Sequence, residues 1–362
     1  MSMQVSYKKQ ISLTIFFLLI IIISVELTLR TYEYVTIPCG IYDNDAFSNL
    51  NYFEKKNICY DTNTLVHGKP PLYHIIPNQY KFTMNINSDG FRGDEIDIKN
   101  DNTYRIFLTG GSTAFGFGST SDNTTIAGVL QEKFDNKFQE SKIEIINAGI
   151  NGADSYREIL LIKEKLINYE PDMIISYTGV NDSGGYSREI IFDEVIDDGI
   201  QNELKFGSYP WYRTPFVINN LIKQNNLENN NDFSVLSTQD IQEFSESFRK
   251  NWSQSCQFLS DNQITSMIIL QPSLITKNTL SNFEKTIEID TEYREEIIDN
   301  YAKELELINT QCNYTFDFRD ILDDTYETTY YDNVHMNDLG NRIVAEKIFE
   351  KIYPIVLGEI NN

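Results

Sequence analysis

Hydrophobic residues follow three different rhythms along the chain. From Ile11 to Val25 they are nearly continuous, and the stretch Ile15 to Ile23 contains no polar side chain. Extended through Leu27 and Leu29, the run reaches the roughly 20 residues that cross a bilayer. Lys8 and Lys9 precede it, whereas Thr31 to Leu50 carries no Lys or Arg. This asymmetry predicts a single-pass membrane helix with its N-terminus in the cytoplasm and the rest of the chain outside. A cleaved signal peptide is the competing reading, but Ser24-Val25-Glu26-Leu27 lacks the small residues that cleavage requires.

From about residue 31 to 103 the pattern is irregular. Tyr, Asn and Pro are frequent, and Gly68-Lys69-Pro70-Pro71 and Ser88-Asp89-Gly90 signal turns. A short strand at Tyr80 to Met84 is the one regular element expected there. From Tyr104 onward short apolar runs alternate with stretches of helical period. Five strands are predicted, at Ile106–Leu108, Ile143–Ile146, Met173–Tyr177, Met267–Leu270 and Thr315–Phe318. Helices are predicted at about 122–138, 154–169, 239–260, 290–310 and 338–353. The last carries Val344, Ile348 and Ile352 at four-residue steps and is expected to stop before Pro354.

Strands alternating with helices imply right-handed βαβ units and a parallel sheet covered on both faces. The expected fold class is therefore α/β, a flavodoxin-sized three-layer sandwich on a five-stranded parallel sheet, preceded by the membrane helix. The domain plan is an anchor at 1–30, an extracytoplasmic extension at 31–103, and an α/β domain at 104–355. An insertion at about 183–238 breaks the rhythm with Tyr186, Phe192, Phe206, Tyr209, Trp211, Tyr212 and Phe216. Such a segment is either a lid or binding loop, or a helical decoration that packs its aromatics inward.

Composition narrows the function. The 362 residues carry a formal charge of −23, which excludes a phosphate-neutralising nucleic-acid binder. His67 and His74 sit in the extension without ligand spacing, and no His, Cys and carboxylate cluster suggests a metal. No cofactor is expected. Four cysteines suit an oxidising compartment, and chain proximity suggests Cys39 with Cys59 and Cys256 with Cys312, although three pairings are open. Cys256 also shares a helical face with Ile241, Phe244, Phe248 and Trp252, so a free core thiol competes with the bridge.

In an open parallel sheet, ligands bind beyond the carboxyl ends of the strands. There the chain places Gly110-Gly111-Ser112-Thr113, Asn147 to Gly152, Gly179-Val180-Asn181-Asp182, and Asp332-Asn333-Val334-His335 just before the last helix. A serine hydroxyl needs a base to become a nucleophile, and His335 is one of three histidines. Asp332, three residues earlier, can hold the Nδ1 proton of that imidazole. The Ser112 and Gly152 backbone N–H groups and the Asn181 side-chain amide are placed to bind a developing oxyanion. Asp182 is read as a loop-orienting residue outside the catalytic set. The glycines fit neither a phosphate loop, which needs a Lys-Ser/Thr pair, nor a nucleophile elbow, whose second glycine is replaced by Ala114.

These four blocks, in this order, resemble the SGNH or GDSL hydrolase family across about residues 104 to 353. The first block reads Gly-Gly-Ser-Thr where the name-giving pattern has Gly-Asp-Ser-Leu. Asn87-Ser88-Asp89-Gly90-Phe91-Arg92-Gly93 resembles the lead-in of a membrane-anchored, glycan-associated branch. The resemblance implies a serine esterase with Ser112, His335 and Asp332 as catalytic set and Ser112, Gly152 and Asn181 as oxyanion hole. Its substrate is expected to be an acyl ester, such as the O-acetyl groups of a surface carbohydrate. An O-acyltransferase using the same residues and a catalytically silent glycan-binding protein are the alternatives.

Overall fold

A computed structural model of the chain describes residues 6–138, 142–184, 212–215, 217, 218, 221, 237–289 and 293–360. The chain forms two compact units, Met1–Cys39 with Tyr209–Ser234, and Gly40–Ser208 with Val235–Asn362. In the first, the apolar run forms helix α1 (Tyr7–Thr36), unbroken over 30 residues. At 1.5 Å per residue it is about 45 Å long, sufficient to cross a bilayer. Glu26 and Glu33 lie two turns apart on one face. Glu26 accepts hydrogen bonds from the backbone N–H groups of Arg213 and Thr214 (2.8 and 2.9 Å) and from the Thr214 hydroxyl (2.6 Å). Glu33 receives the Arg213 guanidinium at 3.1 and 2.6 Å, with both side chains buried.

In the second unit a 3-10 turn (Asp45–Phe47) is followed by helix α2 (Tyr52–Thr64) and the two-residue strands β1 (Gln79–Tyr80) and β2 (Asn85–Ile86), which pair antiparallel. The strand expected at Tyr80 to Met84 is therefore not formed. Lys81 N–H donates to the Met84 carbonyl, and Asp61 accepts from Thr83 N–H and its hydroxyl, so the segment closes into a hairpin. Helix α2 was not anticipated, although Asn51 and Glu54 form a capping box at its start.

Then follow β3 (Thr103–Gly110), α3 (Ser112–Phe115), α4 (Ile126–Asp135), β4 (Lys142–Asn147), α5 (Ser155–Glu164) and β5 (Met173–Thr178). The chain continues with α6 (Thr238–Asp261), β6 (Thr265–Leu270), α7 (Arg294–Leu307), β7 (Tyr314–Asp317) and α8 (Asp338–Ile360). The sheet order is β4-β3-β5-β6-β7, all parallel. Counted along the sheet in chain order, this is the 2-1-3-4-5 arrangement of flavodoxin-like folds. Phe107, Ile174 and Ile268 point to a core shared with α5, α6 and α7. Ile106, Leu108, Ile175, Met267 and Ile269 point to the opposite core, shared with α4 and α8. The expected three-layer α/β sandwich is therefore the fold.

Two further features qualify the sequence reading. Helix α8 does not stop at Pro354 but continues to Ile360. Val356 extends the row of Val344, Ile348 and Ile352, and all four are fully buried. Burial of another apolar side chain, worth roughly 1.5–3 kcal/mol, offsets the hydrogen bond that proline cannot donate. Cys256 and Cys312 are bonded, with Cα atoms 4.9 Å apart, so Cys256 is a bridge within the core rather than a free thiol. Of the aromatics in the 183–238 insertion, Tyr186, Phe192, Phe206, Tyr209, Trp211 and Phe216 lie outside the described residues, and Tyr212 lies within them.

Candidate active site

The site is assembled at the carboxyl edge of β3 and β5, the point where the strand order reverses. After β3 the chain must turn sharply into α3. Gly110 adopts φ +148° there, and a Cβ would lie 2.4 Å from the Tyr177 carbonyl oxygen on β5. Ser112 is the first residue of α3 and is buried, and Thr113 is tied to the end of β6 by a 3.0 Å bond from its hydroxyl to Gln271.

His335 reaches this serine across 223 residues of chain. Its Nε2 lies 2.7 Å from Ser112 Oγ and its Nδ1 2.7 Å from Asp332 Oδ2. An ionised carboxylate only accepts, so Nδ1 carries the proton and Nε2 is free to accept from the serine hydroxyl. Asp332 Oδ1 also accepts from the backbone N–H groups of Val334 and His335 (2.9 and 2.7 Å), which sets the spacing of the Asp-x-x-His turn. Burial pushes the Asp332 carboxyl up, but hydrogen bonds and the charge of His335 outweigh it and hold the group below its ordinary value.

The imidazole is also wedged in plane. Tyr331 stacks on it (5.6 Å between centroids, 15° between planes), and Phe117 sits on it at 6.1 Å. Tyr331 is held in turn by Phe47 (5.2 Å) and by a 2.9 Å bond from the Asn44 side chain to its carbonyl. Just upstream, buried Glu284 accepts from the backbone N–H groups of Thr329 and Tyr330 and is paired with Lys277 at 2.8 Å. None of these supports carried a sequence signal, because each arises from contacts made only on folding.

The three donors expected to bind an oxyanion lie on three loops. Among the described residues, the backbone N–H groups of Ser112 and Gly152 make no hydrogen bond. Gly152 has φ +66°, and a Cβ there would meet nothing nearer than the Arg157 guanidinium at 3.9 Å; the glycine serves the left-handed backbone rather than a tight space. Asn181 donates one amide hydrogen to the Ala153 carbonyl at 2.7 Å, and its nitrogen lies against Gly111, where a Cβ would stand 2.1 Å away. The loop carrying Gly152 is pinned to β3 by Ala148 N–H and Ile150 N–H, which donate to the Leu108 and Gly110 carbonyls at 2.9 Å.

Asp182 follows Asn181 and does orient loops. Its carboxylate accepts from Ser155 N–H at 3.0 and 3.2 Å, and burial, reinforced by Asp154, pushes it up to about 6. Glu158 lies fully buried beneath the end of β3, where it accepts from the Thr109 hydroxyl and burial holds it well above the usual carboxylate range. His74 is buried against Gly68, and His67 forms a β-bridge with Ile75, so both are structural parts of the extension.

The arrangement is chemically that of acyl transfer: a serine hydroxyl in contact with an oriented imidazole, beside unused backbone donors. Comparison with known proteins places the chain in a family by its sequence. No curated protein matches the sequence significantly. Solved structures similar in fold include an acetyl xylan esterase, AlAXEase (17% identity, 68% of this chain and 99% of that one, TM-score 0.41). The psychrotrophic esterase EstA from Pseudoalteromonas sp. (15% identity, 72% and 100%, TM-score 0.41) is another. A third is the lipase/acylhydrolase from Enterococcus faecalis (14% identity, 69% and 95%, TM-score 0.40). Residues 106–348 match the family described as GDSL-like Lipase/Acylhydrolase, and that span includes all four loops of the site. With the family's sequence pattern over two thirds of its length and a serine–imidazole pair at the expected sheet edge, the chain belongs to the GDSL-like lipase/acylhydrolase family of serine hydrolases.

Proposed function

We propose that the protein is an extracytoplasmic serine esterase, with Ser112 as nucleophile, His335 as general base and acid, and Asp332 as the group that orients His335. The observation that carries this reading is the pair of 2.7 Å contacts from His335 to Ser112 Oγ and to Asp332. As Ser112 Oγ bonds to the acyl carbon, its proton passes to His335 Nε2. The oxyanion is bound by Ser112 N–H, Gly152 N–H and Asn181, each donor worth about 10²- to 10³-fold in rate. Collapse expels the alcohol, which takes the proton from His335. Water, deprotonated by His335, then attacks the acyl-enzyme, and as the carboxylic acid is released Ser112 Oγ leaves the acyl carbon and takes that proton back from His335.

The substrate we assign is an O-acetyl or similar short acyl ester on a surface glycan. A helix long and apolar enough to anchor the α/β domain to a membrane supports it, as does the chain's net charge of −23, which disfavours polyanionic substrates. Retention of α1 is supported by Glu26 and Glu33, whose partners Arg213 and Thr214 belong to the folded chain; Lys8 and Lys9 favour a cytoplasmic N-terminus.

A fluorophosphonate probe tests the nucleophile. The full-length protein should label and Ser112→Ala should not; absence of wild-type labelling, or equal labelling of both, rejects the reading. Acetate release from native surface glycan tests the substrate, and recovery of acetylated acceptor in its place would identify a transferase.

A further inference from the structure

The Asn87–Gly93 stretch of the extension supplies a residue that the catalytic scheme leaves unused. Asn87 Oδ1 accepts from Asp89 N–H and Phe91 N–H, and Gly90 takes φ +82°, so the chain reverses tightly. The reversal sends Phe91 into the core beside Phe107 and leaves Arg92 against the back of the Ser112 turn. Arg92 is 4% exposed, and all three of its nitrogens are used. Nη1 donates to the carbonyls of Phe115 (3.1 Å) and Gly116 (2.8 Å), Nη2 to that of Thr83 (2.9 Å), and Nε to Asp122 (2.7 Å). The guanidinium also lies 5.1 Å from the centre of the Phe115 ring.

These carbonyls belong to the nucleophile. Helix α3 has four residues, a single turn that cannot hold its own shape, and its last carbonyls have no partner within it. Phe115 and Gly116 close that turn, because Gly116 N–H and Phe117 N–H both donate to the Ser112 carbonyl at 2.9 Å. The Phe115 carbonyl accepts from a second group as well, the Asn147 side chain at 3.1 Å, whose own Oδ1 accepts from Gly149 N–H. Arg92 N–H donates to the Asn147 carbonyl, and Gly149 fits so closely against Phe115 that a Cβ would lie 2.3 Å from its nitrogen. The loop that leads to Gly152 and the turn that carries Ser112 therefore meet at Phe115.

We infer that Arg92 is a positioning residue that sets, through the Phe115 and Gly116 carbonyls and Asn147, where Ser112 Oγ stands relative to the oxyanion donors Ser112 N–H and Gly152 N–H. The proposal rests on Ser112 being the nucleophile. A lysine keeps the charge at this position but presents one donor point rather than a planar fork, so it cannot hold two successive carbonyls and Asp122 together. Displacement of about 1 Å at a reacting group costs on the order of 10²-fold in rate.

Arg105 is the internal comparison. It is equally buried and equally satisfied, by Glu144 and the Tyr169 and Asp97 carbonyls, but it lies near the start of β3, away from the Ser112 turn. With full-length protein and p-nitrophenyl acetate, Arg92→Lys should lower kcat by about 10²-fold per folded molecule, with KM within twofold of wild type. Arg105→Lys should lower the melting temperature and leave kcat per folded molecule unchanged. Asp122→Asn, at a partly exposed site, should lower kcat several-fold while folding normally.

The inference fails if Arg92→Lys stays within threefold of wild-type kcat per folded molecule, or if Arg105→Lys loses as much. Should Arg92→Lys not fold, wild-type kcat in Asp122→Asn overturns it. A wild type that neither turns over ester nor reacts with the fluorophosphonate overturns the Ser112 reading itself, and this one with it.

Discussion

Asp182 stands beside Asn181, the proposed oxyanion donor, with its carboxylate buried, accepting from Ser155 and facing the charge of Asp154. Its folded-state value, about 6 against an ordinary 3.8, means that the folded chain holds the proton more tightly than the unfolded chain. Stability from this group is fully present below about pH 3.8 and is lost as pH rises through about 6. Asp182→Asn removes the charge and can still accept from Ser155. The stability gained by the substitution should therefore be greater at pH 8 than at pH 4, by at most about 3 kcal/mol. Denaturant melts of both proteins at both pH values measure it, and a gain that is equal or larger at pH 4 contradicts the assignment. At this scale the residues of the proposed site, Ser112, Asp332, His335, Gly152 and Asn181, and the neighbouring Asp182 could be picked out of the sequence, because a serine, a histidine, a turn glycine and an amide are distinct residue types at the ends of strands. Tyr331, Phe117 and Arg92 could not, since an aromatic or an arginine has many ordinary places in a chain.

At the level of elements, the sheet was legible because buried parallel strands are short, largely apolar runs, and Met173–Tyr177 and Met267–Leu270 mark the strands Met173–Thr178 and Thr265–Leu270. Helix α2 was hidden because it lacks an apolar stripe and buries polar residues, Lys55, Lys56 and Asp61, whose burial no sequence period announces. The Cys256–Cys312 bridge joins α6 to the residues just before β7 and closes a span of 56 residues. In the chain-entropy account a loop of that length is worth about 4 kcal/mol. Mild reduction should lower the melting temperature of the wild type by more than it lowers that of a Cys256→Ser/Cys312→Ser double variant, which starts lower. A wild type indifferent to reduction, with the bond shown to be open, would remove the bridge from the account of stability.

For the whole molecule, α1 is long and apolar enough to span a bilayer, and Glu26 and Glu33 are engaged by residues from the 209–234 segment. The full-length chain should remain with membranes through carbonate extraction, and added protease should reach its α/β domain in spheroplasts or right-side-out vesicles. Recovery in the soluble fraction with a new N-terminus after residue 30 would show a cleaved signal instead.

The sequence by itself determined the periodicities and the order of chemical groups along the chain. From these came the membrane run, the α/β alternation, and the four loops expected at one sheet edge, because hydrophobic period is a local property of the sequence and right-handed crossovers then place successive strand ends on the same edge. Only the tertiary structure decided which groups touch. His335 meeting Ser112, Asn44 holding Tyr331, and Arg92 beneath Phe115 join residues between 23 and 287 positions apart. Such pairings follow from how layers pack rather than from any one segment. For the same reason α8 runs past Pro354: a local stop signal was outweighed by a buried row of side chains that exists only once the helix lies on the sheet.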